Sequence, residues 1–154
     1  MRMKFSFLIL LMAFFACSRG AVFASEQLRV GLYLAENGAP HEGAQLAPEG
    51  QAERLRTVFG FKNYELLKEG NIELGHEWEQ WFVPRHDFFL RVNPLPHPPG
   101  EPRRLDYEIY DEGFLVAHGR YEPRRDKPLF INGPDFRGGM LLFVLEPRAD
   151  SFPE

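Results

Sequence analysis

Hydrophobic and polar side chains alternate along most of this chain. Such a period of two is expected where one face of a β-strand is buried and the other meets solvent. Residues 27–35 show the pattern first, with apolar side chains at every second position. Further strand-like runs are bounded by Gly, Pro, Asn or Asp, and they cover residues 63–68, 71–74, 77–83, 88–92, 105–110, 114–121 and 129–132.

Two segments depart from this alternation. Apolar residues between Ala52 and Phe59 recur at helical spacing, after Pro48 and before Gly60, which predicts one short helix that ends at the glycine. Residues 140–145 (MLLFVL) are apolar at both parities. This second pattern predicts a central strand that is covered on both faces.

The connections are rich in turn-forming residues. Residues 36–50 and the proline-rich 94–102 predict two long loops, and 84–87 and 111–113 predict tight turns. Glu69-Gly70 divides two of the strand-like runs, and Gly133-Pro134 is expected to end another.

Short strands at regular spacing, with turn-rich connections and one short helix, indicate an all-β fold. Between seven and nine strands are expected. An antiparallel β-sandwich is the predicted architecture, and an open β-barrel is the second choice.

The first 24 residues have the pattern of a secretory signal peptide. A basic start is followed by an apolar block that ends at Cys17, and the small residue Ala24 marks the cleavage point. We therefore expect a signal peptide over 1–24 and a single domain over 25–154, in a periplasmic or extracellular protein. Cys17 follows Ala16, so a lipoprotein anchored at Cys17 is the alternative.

Composition excludes several classes of function. Cleavage would remove three of the 18 basic residues and none of the 22 acidic ones, so 15 remain against 22 and the net charge becomes −7. Such an acidic chain is a poor match for nucleic acid, whose binding depends on Lys and Arg.

The expected mature chain contains no cysteine, and Ser25, Thr57 and Ser151 are its only Ser or Thr residues. None lies in a nucleophile motif, which argues against Ser- or Cys-dependent catalysis.

The segment 75–87 (GHEWEQWFVPRHD) concentrates residues that can ligate metals. On a strand, however, His76 and Glu77 point to opposite faces, and the turn near Arg85 does not place His76 opposite His86. We therefore expect neither a metal site nor another cofactor.

The same segment offers a carbohydrate platform. Trp78 and Phe82 share parity, so they are the candidate ligand-binding pair or, alternatively, a pair that faces the core; Trp81 has the opposite parity.

Paired carboxylates would be needed for a glycosidase-type reaction. No pair stands out in the sequence, and Asp106 and Glu108 have the spacing of a solvated strand face. The acidic residues considered are Glu77, Glu79, Asp87, Asp106, Glu108, Asp111 and Glu112.

Two segments, LRTVFGFKNYELLKEG (55–70) and PLFINGPDFRGGMLLFVLE (128–146), resemble a pattern found in small exported bacterial β-sandwich proteins of uncharacterised function. The shared features are a leader, a short helix that ends in an aromatic pair, a Tyr-x-Leu-Leu strand and a final apolar strand. The resemblance implies a β-sandwich in a bacterial envelope. It implies no activity and transfers no functional residue.

Together these patterns favour a non-enzymatic, exported β-sandwich that acts as a protein-interaction or structural module of the bacterial cell envelope. An unidentified envelope protein is the expected partner, bound through the loops 36–50 or 94–102 or by strand addition at a sheet edge. A carbohydrate-binding module is the alternative, with a glycan as ligand, and a carboxylate-dependent hydrolase is the second alternative. No catalytic residue is assigned, and no membrane-spanning segment is expected in the mature chain.

Overall fold

A computed structural model of the chain describes residues 26–75, 78–98, 100–148 and Phe152. The expected signal peptide, with Cys17, lies outside these residues, as do His76 and Glu77. The described residues form one helix and eight strands: β1 (Gln27–Glu36), α1 (Glu49–Phe59), β2 (Asn63–Glu73), β3 (Gln80–Arg85), β4 (Phe88–Pro94), β5 (Leu105–Asp111), β6 (Phe114–Tyr121), β7 (Leu129–Phe136) and β8 (Gly139–Pro147).

The strands form two four-stranded sheets. Sheet A has the order β2-β1-β8-β7 and sheet B the order β3-β4-β5-β6. Every neighbouring pair is antiparallel. The predicted antiparallel sandwich is therefore confirmed.

Two hydrophobic cores hold the layers together. The larger core lies between the sheets and contains alternate residues of β1, such as Val30 and Leu32, with residues such as Leu90 and Ile109 of sheet B. The second core lies on the other face of sheet A, where Leu55 of α1 packs with side chains of β1, β2 and β8. Sheet A is thus covered on both faces, and the predicted two-sided burial of β8 is confirmed.

The helix α1 ends where the sequence predicts. Gly60 adopts a left-handed conformation with φ 79°, and its N–H donates to the carbonyl oxygen of Arg56. A glycine reaches this conformation without a steric penalty. Within the described residues, no helix is long and apolar enough to cross a membrane.

Two predicted strand breaks are wrong. Glu69-Gly70 does not divide two strands, because both residues lie within β2. A Cβ at position 70 would approach the Phe82 ring to 3.0 Å, so Gly70 provides room for this core side chain. Gly133-Pro134 does not end its strand either, because β7 continues to Phe136 through a bulge. An edge strand such as β7 tolerates proline at a bulge.

Candidate functional site

The outer face of sheet B carries a row of aromatic side chains. Phe88 and Leu90 of β4 point into the core, so Phe89 between them points outward. Its ring lies 5.0 Å from that of Tyr110 on β5 and 5.1 Å from that of Trp81 on β3, measured between centroids. We call Trp81, Phe89 and Tyr110 the aromatic row.

Ion pairs and a hydrogen bond surround the aromatic row. Arg91 lies 2.7 Å from a carboxylate oxygen of Glu79 and 3.1 Å from one of Glu108. Its guanidinium also lies over the Trp81 ring, 5.8 Å from the centroid. The Tyr110 hydroxyl donates to Glu108 at 2.8 Å, and this hydrogen bond raises the pKa of Tyr110. The rings are therefore held by neighbours on three strands.

The row continues to the edge of the sheet. Tyr110 is paired with Leu115 of β6, the last strand of sheet B. Phe114 is 73% exposed, and Leu115 and Val116 are about half exposed. Residues 114–117 (FLVA) contain no charge and no proline. We call Phe114, Leu115 and Val116 the β6 edge.

The other three outer strands carry features that discourage pairing with another chain. The strand β3 is short and contains Pro84 at an irregularity in its pairing with β4. In β7, Gly133 and Pro134 lie at a bulge. In β2, Lys68 and Glu69 are charged and directly follow a bulge. The strand β6 also carries Arg120 and has an irregularity in its pairing with β5 at Val116. Among the described outer strands, however, only β6 has a run of four apolar residues, 114–117, without charge or proline.

The two residues predicted to form a carbohydrate platform lie in different environments. Phe82 is buried in the core, where its ring packs edge-on against Phe143 at 6.2 Å. Trp78 precedes β3 and is 61% exposed. The structure therefore does not bring Trp78 and Phe82 onto one exposed face. The exposed aromatic surface is the aromatic row, and identifying it requires the pairing of β3, β4 and β5.

The aromatic row has an unusual shape for a sugar platform. The planes of Phe89 and Tyr110 differ by only 21°, so these two rings stack on each other and occupy each other's faces. Carbohydrate stacking needs a free ring face. Trp81, tilted by 43° against Phe89 and half exposed, is the member of the row best able to offer one.

The predicted turn at 84–87 is present as His86-Asp87 between β3 and β4. A backbone hydrogen bond and the ion pair with Arg85 lower the pKa of Asp87. Because His76 lies outside the described residues, its separation from His86 stays a prediction.

Two acidic residues of the strand β5, Asp106 and Glu108, are ion-paired. Asp106 accepts a hydrogen bond from Arg120 of β6 at 2.9 Å, while Glu108 is bound by Arg91. Both lie on the outer face of sheet B, in agreement with the predicted solvated face.

A cluster of potential metal ligands lies in sheet A, where the sequence indicated none. Glu36 ends β1, Glu65 lies on β2 and His41 comes from the loop between β1 and α1. One ligand atom from each lies within 4.8 Å of the others. The three residues come from separate segments with no motif spacing, so the sequence alone carries no signal for them.

Two of the clefts among the described residues differ in size and in lining. One, of about 190 Å³, is smaller than ordinary small-molecule sites, which are roughly 300 to 1,000 Å³. The other, of about 520 Å³, lies beside charged side chains that are already paired, such as Arg103 with Glu26. Small size in the first cleft and the paired charges beside the second therefore argue against a small-molecule site in either.

Comparison of the chain with models of protein families, with curated proteins and with solved structures gives no match. Function must therefore be inferred from the described side chains themselves. The aromatic row and the β6 edge form a continuous apolar surface, and this surface is the candidate functional site.

Proposed function

We propose that this protein is a non-enzymatic binding module exported to the bacterial cell envelope, where the β6 edge takes up an extended segment of a partner protein as an additional strand. The observation that carries the proposal is the contrast between the edges. Charged residues lie in β2 and proline lies in β3 and β7, while residues 114–117 of β6 are apolar and contain neither. All four outer strands have an irregularity in their pairing, which in β6 lies at Val116. An exposed apolar edge is an aggregation hazard unless a partner covers it.

Strand addition would use both the backbone and the side chains of β6. The strand is paired on one side only, with β5, so its other side can offer backbone N–H and C=O groups to an incoming segment. Alternate residues of that segment would lie beside Leu115, at the end of the aromatic row. The partner segment should therefore carry apolar side chains at every second position.

The leader-like pattern of residues 1–24 supports an envelope location, and the composition of the rest of the chain is compatible with it. The expected mature chain is acidic and contains no cysteine, so its fold needs no oxidant and its surface does not suit nucleic acid. We place the protein in the periplasm or outside the cell, with anchoring through a lipid on Cys17 as the alternative.

Two matched substitutions test the edge. Val116→Lys puts a charge into the β6 edge, while Val83→Lys makes the same change on β3, and the two valines are 47% and 51% exposed. A photo-crosslinking amino acid at position 114 reports contacts in the producing cells, followed by mass spectrometry. We expect a reproducible protein neighbour whose crosslink is lost with Val116→Lys and kept with Val83→Lys.

Other outcomes would overturn this proposal. A crosslink that survives Val116→Lys would show that β6 is not the docking strand. A crosslink to a second copy of this chain, with a dimer in light scattering, would replace the envelope partner by self-association. Absence of any crosslink from position 114 would leave the β6 edge without its proposed occupant.

A glycan is the second candidate ligand, and the exposed ring of Trp81 is the observation in its favour. Soluble polysaccharide should then quench tryptophan fluorescence, and Trp81→Ala should abolish the effect while Trp78→Ala leaves it. Unchanged quenching in Trp81→Ala would exclude the aromatic row as a sugar site.

A further inference from the structure

We propose that Glu36, His41 and Glu65 bind a divalent transition-metal ion, Zn²⁺, at the end of sheet A where β1 stops and β2 begins. The ligand atoms are one carboxylate oxygen from each glutamate and Nδ1 of His41. Nothing in the proposed strand addition requires this site, so it represents a separate property of the protein.

The fold brings the two carboxylates to one side of sheet A. Glu65 is paired with Leu34, and Glu36 lies two residues beyond Leu34 on β1. Side chains of alternate residues share a face, so both glutamates lie on the side of Leu34, which points into the core between the sheets.

The loop that carries His41 is fastened on both sides of the cluster. The Asn63 amide donates to the carbonyl oxygen of Gly38 at 2.6 Å, and the Lys62 N–H donates to Asn37 at 3.1 Å. The same loop pairs with β2 again at Leu46, opposite Glu65. His41 is therefore presented to the two carboxylates by a segment that the sheet holds at both ends.

The buried carboxylate of Glu36 points to a cation. Glu36 is only 7% exposed, and its Oε1 has no hydrogen-bond partner among the described residues. Nδ1 of His41 lies 3.6 Å from this oxygen, but the nitrogen lies closer to a carboxylate oxygen of Glu65, at 3.1 Å. One ring nitrogen carries at most one proton and cannot satisfy two carboxylates. An unsatisfied buried carboxylate is costly, whereas a cation bound among the three groups would satisfy all of them.

Ligand type and spacing fit Zn²⁺. Zinc binds imidazole nitrogen and carboxylate oxygen at about 2.0 to 2.2 Å, so ligand atoms on a shared ion lie roughly 3 to 4 Å apart. The two distances from His41, 3.1 and 3.6 Å, are in this range, and the third separation does not exceed 4.8 Å. Three protein ligands leave at least one position on the ion for water. The His41 side chain is 44% exposed, which gives the ion a path from solvent.

Calorimetric titration of the purified, chelator-treated protein with Zn²⁺ tests the site. We expect one ion per chain, with Glu36→Gln and His41→Ala each weakening binding by about 100-fold or more. His118→Ala removes an exposed histidine on the outer face of sheet B and should leave the affinity unchanged. Titration with Co²⁺ should give visible absorption bands that Glu36→Gln eliminates.

Stability in the absence of metal distinguishes a binding site from a structural ion pair. Without metal, Glu36→Gln should raise the melting temperature, because it removes a buried carboxylate oxygen that lacks a hydrogen-bond partner, and added Zn²⁺ should stabilise the unsubstituted protein but not the variant. Equal Zn²⁺ affinity in all variants, or no binding by the unsubstituted protein, would overturn the proposal. Destabilisation by His41→Ala to the same extent with and without Zn²⁺ would also overturn it, by showing that His41 acts only as a partner of Glu65.

Discussion

Two phenylalanines, Phe143 and Phe114, offer a direct test of the inside and the outside of this sandwich. Phe143 lies on the central strand β8 and is fully buried, whereas Phe114 begins the edge strand β6 and is 73% exposed. The same substitution, to alanine, removes the same atoms from both positions. We expect a large loss of stability at Phe143 and almost none at Phe114, because only Phe143 loses packing in the core.

The expected cost at Phe143 follows from its contacts. Its ring stacks on Phe88 at a centroid distance of 5.2 Å and meets Phe82 edge-on at 6.2 Å. Removing a buried phenylalanine costs about 3 to 5 kcal/mol. Two lost aromatic pairs place Phe143→Ala toward the upper part of this range. Phe114→Ala should change the free energy of unfolding by less than about 0.5 kcal/mol.

Urea unfolding, followed by far-ultraviolet circular dichroism, measures both effects. With a slope of about 2 kcal/mol per molar urea, the midpoint of Phe143→Ala should fall by roughly 2 M, while that of Phe114→Ala should barely move. Because domains of this size are stable by only about 5 to 15 kcal/mol, Phe143→Leu provides a milder variant with an expected loss of about 1 to 2 kcal/mol.

Equal midpoint shifts for the two alanine variants would refute the assignment of Phe143 to the core and of Phe114 to the surface. A loss above about 1 kcal/mol for Phe114→Ala would have a specific meaning. The β6 edge would then be buried, by the chain itself or by a second copy, and would not be available to a partner.

Three further predictions concern backbone space and charge. A Cβ at Gly139 would collide with the carbonyl oxygen of Ala35, so Gly139→Ala should lower the urea midpoint by the equivalent of about 1 to 3 kcal/mol. Gly50, in α1, has open space around it, and Gly50→Ala should instead stabilise the protein by up to about 1 kcal/mol. Burial, together with the charge of Glu146, raises the pKa of Tyr121. The unfolded chain therefore loses this proton first above pH ~10, so stability falls as pH rises, and Tyr121→Phe should make this fall shallower in urea titrations at alkaline pH.

The local pattern of the sequence predicted most of the secondary structure because burial in a sandwich has the same period as the strand itself. The helix α1 was predicted from apolar residues at helical spacing, and the doubly covered strand β8 from apolar residues at both parities. The breaks at Gly70 and at Gly133-Pro134 were predicted wrongly. There a contact distant in sequence, such as Phe82 above Gly70, overrides the local preference of glycine for turns.

The candidate sites could not be predicted in this way because they depend on strand order and register. Trp81, Phe89 and Tyr110 are separated in sequence by eight and by 21 positions, and only the order β3-β4-β5 brings them together. The cluster around Glu36 likewise needs the pairing of β1 with β2 and the return of a long loop. A single sequence contains neither the order of the strands nor the path of this loop.

The two outer faces of the sandwich differ in a way that bears on function. Sheet A buries its outer face under α1 and the preceding loop, with Leu55 and Ala47 in the second core. The outer face of sheet B has no such layer among the described residues, although it carries the aromatic row. Substitutions at exposed positions rarely change the free energy of unfolding by more than about 0.5 kcal/mol. Polar residues in place of these rings and of the β6 edge would therefore leave the stability of the fold almost unchanged. Exposed apolar edges promote aggregation, so the proposed strand addition, in which a partner covers the β6 edge, would account for the retention of these residues.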